Sequence, residues 1–272
     1  MMRTHRPLPR TRVTGSHVET GARVLPEEVA VALSYNGSTQ AVMMSTPADL
    51  IDFAYGFTLT EGIARPDEIE SVEAVETDLG IDLQIWLKGE AGERLAQRRR
   101  TMAGPVGCGL CGIDSLSEAV RRAQPIEATD FALHASQVWS AIASLPQHQP
   151  LHDATRAAHA AAFWTPANGI QALREDVGRH NALDKLAGSL IRGGVERNQG
   201  ALIITSRVSI DMVQKAAAIG SPVLIAVSAP TATAVEQANA AGITLIALAR
   251  ADHFEVFSRP DRIFPDEATN VA

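Results

Sequence analysis

The chain holds two cysteines, and both lie in the stretch Gly107-Cys108-Gly109-Leu110-Cys111-Gly112. Several chemistries use a C-x-x-C pair. A structural zinc site normally takes four Cys or His ligands, and the two cysteines supply only half of that number. The zinc deaminase signature fails as well, because His159 is followed by two alanines and glycine, not proline, precedes Cys108. A thioredoxin-like dithiol should follow an early strand and open a helix. Here the pair comes after Arg98-Arg99-Arg100 and has glycine on both sides, which predicts a mobile loop. A third possibility is sulfur handling. A cysteine that accepts sulfane sulfur must be exposed, partly thiolate at neutral pH, and reachable by two large partners in turn. Glycines leave the sulfur accessible, and the three arginines lower a thiol pKa electrostatically. A second cysteine can attack the persulfide or act as a resolving thiol. The bland alternative is two buried cysteines in a turn, which glycine-rich polar surroundings do not favour.

A second group of residues stands at the ends of predicted strands. Ala201 to Thr205, Pro222 to Val227 and Thr244 to Ala249 read as short buried strands. Between them, Asp211 to Ile219 and Thr231 to Ala241 read as helices closed by Gly220 and Gly242. This alternation predicts βαβ units and a parallel sheet, whose ligands sit beyond the carboxyl ends of the strands. Those ends carry Ser206-Arg207, Ser228-Ala229-Pro230-Thr231 and Arg250-Ala251-Asp252. Hydroxyls, helix-start N–H groups and guanidinium groups on one edge suit a phosphate-bearing ligand, although each residue taken alone is equally an ordinary turn or cap residue. Ala182, Leu183, Leu186, Ala187, Leu190 and Ile191 mark a further helix. Asp176, Arg179, His180, Asp184 and Lys185 cluster at its start, either as ligand contacts or as an ion-pair network. His159 and His180 are open to both a structural and a functional role.

The amino-terminal half reads differently. Glu28 to Tyr35 is a strand ending at the hairpin signal Asn36-Gly37, with Gln40 to Met44 as the returning partner. Thr46-Pro47-Ala48-Asp49 predicts a helix with Thr46 as N-cap and Pro47 at its first position. Val72 to Val75 and Ile81 to Leu87 are further strands, and Ala128 to Ala143 reads as a helix closed by Pro146 to Pro150. The expected organisation is a flexible leader over 1–25, a small α+β domain over 26–125 ending in the C-x-x-C loop, an α/β layered domain over 126–265, and a tail over 266–272.

With 272 residues, 46% hydrophobic, the composition is that of a soluble globular protein. A net charge of −7 argues against a general nucleic-acid binder. The opening MMRTHRPLPRTRVTG is basic without an apolar h-region, so neither a secretory signal nor a membrane anchor is expected. The expected compartment is cytoplasmic, where thiols stay reduced.

The blocks carrying these residues form a longer pattern. Arg98 to Arg100 with Gly107 to Gly112, EDVGRHNALDKLAG from Glu175, SRVSIDMVQKAA from Ser206 and VSAPTATAVE from Val227 occur in that order. With Asn36-Gly37, MMSTPADL and GFTLTEGI, they resemble the formate dehydrogenase accessory sulfurtransferase family of FdhD/NarQ type over about residues 26 to 263. The resemblance implies a sulfurtransferase that accepts sulfur from a cysteine desulfurase as a cysteine persulfide. It would pass the sulfur to the molybdenum cofactor, bis-molybdopterin guanine dinucleotide, before insertion into formate dehydrogenase. It implies Cys108 as the persulfide carrier with Cys111 as its partner, and no structural metal. Leu248, Ala249, Arg250, Ala251, Asp252 and His253 would hold the guanine nucleotide moiety. It also implies a cytidine deaminase-like α/β/α larger domain and a homodimer. A cofactor-binding chaperone without sulfur transfer and a C-x-x-C dithiol oxidoreductase are the competing functions. Two positions depart from the family pattern: Arg156 stands after Thr155 where glycine is usual, and His253 stands where some relatives have Arg.

Overall fold

The computed structural model describes residues 2–102 and 122–266, with side chains described outside 98–102. Cys108 and Cys111 lie outside the described residues, as do the side chains of Arg98 to Arg100. Among the described residues no helix is long and apolar enough to cross a membrane.

The chain opens with β1 (His5–Thr14) and β2 (His17–Pro26), an antiparallel ribbon turning at Gly15 and Ser16. The segment expected as a flexible leader is thus paired strand from His5 onward. A four-stranded sheet follows, in the order β4-β3-β6-β5. Its strands are β3 (Val29–Tyr35), β4 (Ser38–Ser45), β5 (Ile69–Thr77) and β6 (Gly80–Leu87). Asn36 and Gly37 turn β3 into β4 with φ of 50° and 76°, the left-handed pair that a tight hairpin demands. Helix α1 (Leu50–Thr60) covers one face, burying Phe53, Ala54 and Phe57 against Val31, Leu33, Leu83 and Ile85. Helix α2 (Gly89–Met102) leaves the far end. The helix expected from Thr46 starts later, because Thr46 is buried and its backbone N–H and carbonyl are engaged by Asp176 and Lys185.

The second half is built on a six-stranded sheet of order β13-β12-β11-β10-β8-β9. Before it come β7 (Leu133–His134), α3 (Ala135–Ala143) and the short α4 (Pro150–Thr155). The helix expected from Ala128 begins only at Ala135, since Phe131 and Leu133 alternate inward to the core as extended chain. Then follow β8 (His159–Thr165), β9 (Gly169–Asp176), α5 (Arg179–Arg192), β10 (Ala201–Ile204), α6 (Ile210–Ile219), β11 (Val223–Ala226), α7 (Ala232–Ala241), β12 (Thr244–Ala247), β13 (Glu255–Ser258) and β14 (Ile263–Phe264). Strands β10, β11 and β12 are parallel, as their βαβ connections require. Strand β8 runs antiparallel to β10 and pairs with β9 as a hairpin, and β13 closes the other edge antiparallel. The sheet is therefore mixed where a parallel one was expected.

Alternate residues of its buried strands feed two cores. Leu202, Ile204, Leu224 and Leu245 pack under α5, α6 and α7, while Ile203, Ile225 and Ile246 meet α3 on the other face. Gly220 and Gly242 close α6 and α7 at φ of 85° and 75°. Arg156, at φ of 58°, ends α4 in the conformation that glycine adopts without cost, which accounts for a preference for glycine at that place.

The two halves meet where α1 crosses α5, at backbone-to-backbone distance. A Cβ added at Gly56 would lie 1.7 Å from the Asp184 carbonyl oxygen, and one at Gly188 would lie 1.8 Å from that of Asp52. No larger residue fits either position.

Candidate functional site

Strands β10, β11 and β12 end at one edge of the large sheet, and their following loops are laced together there. Val208 N–H donates to Ala229 O at 3.2 Å, Thr231 N–H to Val208 O at 2.9 Å, and Leu248 N–H to Ser228 O at 3.3 Å. Thr231 caps α7 by accepting from Ala234 N–H. The antiparallel β8 begins at this edge with His159 and β9 ends at it with Asp176, because Ala160 pairs with Thr205 through two hydrogen bonds of 2.9 and 3.1 Å. The edge thus gathers the loops that the sequence singled out and adds the start of α5.

Residues 248–253 form a turn after β12. Leu248 has φ of 52°, and Ala249 is buried in the core with its N–H bound to Ala226 O. Arg250, Ala251, Asp252 and His253 are exposed. The Arg250 guanidinium donates to the carbonyls of Ala249 at 2.9 Å and of Val227, and its N–H donates to His253 O at 2.8 Å. Arg250 therefore fixes the turn as well as charging it. The His253 ring lies 2.9 Å from Asp252 and holds that carboxyl below its ordinary value.

The start of α5 carries the groups whose role the sequence left open. Arg179 and His180 occupy the first positions of a 14-residue helix whose amino-terminal dipole disfavours cations. Arg179 Nε is buried with no hydrogen-bond partner among the described residues. His180 faces Asp211 in the first turn of α6. Burial opposes ionisation of Asp211, but the adjacent His180 and Ser209 hold the carboxyl well below the usual range. His159 is half-buried, and burial followed by the charge of Arg179 pushes its pKa below 6.5. An arginine with an unused donor, placed against the helix dipole among histidines, is poised for an anion. The sequence signal was the Gly178-Arg179-His180 run opening a helix without an acidic first turn.

The rest of that block is structural. Asp176 is fully buried and accepts from Ser45 Oγ at 2.7 Å, Thr46 N–H at 3.0 Å, Gly178 N–H at 2.7 Å, Asn181 Nδ2 at 3.0 Å and Lys185 Nζ at 2.6 Å. Lys185, equally buried, also donates to Thr46 O at 2.8 Å. Asp184 binds Thr60 at 2.6 Å and Lys215 at 2.9 Å, and Lys215 reaches Glu61 at 2.6 Å. Asp52 binds Arg174 at 2.7 Å and Arg192 at 2.5 Å. Glu175 caps α4 through the N–H groups of Leu151 and His152. Three buried aspartates thus bolt α1 and the end of β4 to α5, and that clamp holds Arg179 and His180 in place at the edge.

Residues 26–264 match a family model described as the FdhD/NarQ family. A protein of Agrobacterium fabrum named sulfur carrier protein FdhD is 51% identical over 261 residues, covering 96% of each chain. One of the same name from Brucella abortus is 50% identical over 249 residues, covering 91% of this chain and 93% of its own. In fold, the chain is similar to the crystal structure of a putative formate dehydrogenase accessory protein from Desulfotalea psychrophila, with a TM-score of 0.76, 24% identity, and coverage of 96% of this chain and 100% of that one.

Proposed function

The chain belongs to the FdhD/NarQ family, and from that premise we propose that it is a sulfur carrier serving the maturation of formate dehydrogenase. The family match over residues 26–264 carries this reading. Cys108 takes the sulfane sulfur of a cysteine desulfurase persulfide, leaving the donor as a thiolate and carrying the sulfur as its own persulfide. The glycine framing and the neighbouring Arg98 to Arg100 favour the thiolate that such a transfer needs.

Delivery to bis-molybdopterin guanine dinucleotide is a reduction of that sulfur. A thiol, with Cys111 the other cysteine of the chain, attacks the Cys108 sulfur; the persulfide releases sulfide, and a disulfide forms. Sulfide then replaces a molybdenum-bound oxygen, which leaves as water. The cofactor is cargo in this scheme, held at the carboxyl edge of the large sheet. Support comes from the cations gathered there, Arg179, Arg207 and Arg250, and from the unused donor of Arg179. The layered half is read as cytidine deaminase-like, with the strand order and the helices on both faces as its support. The protein acts in the cytoplasm as a homodimer.

Complementation of a strain lacking this protein tests the proposal. Wild-type chain should restore formate dehydrogenase activity and Cys108→Ala should not. Restoration by a Cys108→Ser/Cys111→Ser variant would instead favour a cofactor chaperone, and thiol-independent delivery would replace the scheme.

A further inference from the structure

The large sheet has a second functional-looking edge, opposite the carboxyl ends of its parallel strands. Helices α6 and α7 run back against those strands, so their closing residues Gly220 and Gly242 lie at this edge, beside the turn over 197–199 that leads into β10. Residues 125–129 cross the helix ends as a strap. Ile126 N–H donates to Ala241 O at 3.0 Å and its side chain packs on the core, while Thr129 Oγ1 donates to Asn198 O at 3.3 Å. Between the strap, the turn and the end of α6 lies a cavity of about 400 Å³, a volume in the range of small-molecule sites.

Two polar groups that line it lack partners. Arg197 is half-buried, and burial lowers its pKa with no carboxylate opposing the shift; among the described residues its side chain makes neither a hydrogen bond nor an ion pair. The next residue, Asn198, has its Oδ1 buried without a donor among the described residues. A guanidinium in want of an acceptor and, one residue on, an amide oxygen in want of a donor describe a ligand that carries both. Glu127 and Glu196 also line the cavity and are exposed. Two carboxylates against one guanidinium disfavour a phosphate dianion and favour a cation beside a single carboxylate. Ile126 and Val195, both partly buried against the core, give the cavity an apolar side.

We propose that this cavity binds a free α-amino acid with an aliphatic side chain. The ligand carboxylate accepts two hydrogen bonds from the Arg197 guanidinium. Its ammonium donates to Asn198 Oδ1 within the field of Glu127 and Glu196, and its side chain rests on Ile126 and Val195. A carboxylate and an ammonium on one carbon suit two side chains that are neighbours in the chain. The site is separate from the strand ends at the other edge of the sheet and does not depend on sulfur transfer.

Calorimetric titration of the full chain with L-leucine tests it. The wild-type chain should bind with a dissociation constant of about 1 mM or tighter. L-Leucinamide, which lacks the carboxylate, and N-acetyl-L-leucine, which lacks the ammonium, should each bind about tenfold more weakly or worse. Arg197→Gln and Asn198→Ala should lose a similar factor at an unchanged melting temperature, since neither side chain ties the fold together. No saturable binding of L-leucine up to about 10 mM, or an Arg197→Gln chain that binds as wild type, would overturn the proposal. N-Acetyl-L-leucine binding as tightly as L-leucine would overturn it too, and would make the carboxyl terminus of a peptide the occupant.

Discussion

Replacing Lys185 with alanine should unfold this protein earlier than almost any other single change to a charged residue. Lys185 and Asp176 are both fully buried, and their contact of 2.6 Å joins α5 to the backbone of Thr46. Removing one partner of a buried pair leaves the other charge uncompensated, at a cost of about 3–5 kcal/mol. The remaining donors to Asp176, from Ser45, Thr46, Gly178 and Asn181, keep the carboxylate hydrogen-bonded and place the loss toward the lower end of that range. At roughly 2–4 °C per kcal/mol for a domain of this size, the melting temperature should fall by about 6–12 °C. Scanning calorimetry reads the shift directly. Lys185→Met combined with Asp176→Asn removes both charges at similar volume and should cost less than Lys185→Met alone. A Lys185→Ala variant melting within about 2 °C of wild type, or a double variant whose losses simply add, would refute the clamp.

Other consequences follow from the same geometry. Arg179→Gln should weaken guanosine diphosphate binding by about 10- to 100-fold, the worth of a charge-assisted hydrogen bond, as read by calorimetry with little change in melting temperature. Unchanged affinity would remove the start of α5 from the ligand site. His159 should titrate below 6.5 by NMR. Since the unfolded chain takes up this proton first, the contribution of His159 to stability should decline as pH falls from 6.5 to its depressed folded value and level off below. His159→Gln should flatten stability against pH in that window, and titration at or above 6.5 would contradict the burial argument.

Local signals carried most of the fold. Asn36-Gly37, Gly220 and Gly242 fell at left-handed positions, and the apolar runs of β10, β11 and β12 were readable because they are buried on both faces. What escaped was set by partners distant in the chain. Thr46 looked like an N-cap, but its backbone is claimed by Asp176 and Lys185, more than a hundred residues away. The hairpin of β8 and β9 inverts one side of the sheet, and the parallel pattern of the later strands gave no hint of it. Residues 1–25 were read as a flexible leader, yet from His5 onward they pair as an antiparallel ribbon. At the site, the strand-end loops were legible as a set, since parallel strands bring their carboxyl ends to one edge. The split of the Glu175 to Lys185 block was not, because only packing separates the buried Asp176 and Lys185 from Arg179 with its unused donor.

The central claim is that Cys108 carries sulfur. Incubation of the purified protein with a cysteine desulfurase and free cysteine, followed by intact mass spectrometry without reductant, tests it most directly. Wild-type chain should gain the mass of one sulfur atom, lose it on treatment with a thiol reductant, and show no gain as Cys108→Ala. A Cys108→Ala chain that gains the same sulfur, or a wild-type chain that gains none, would contradict the account.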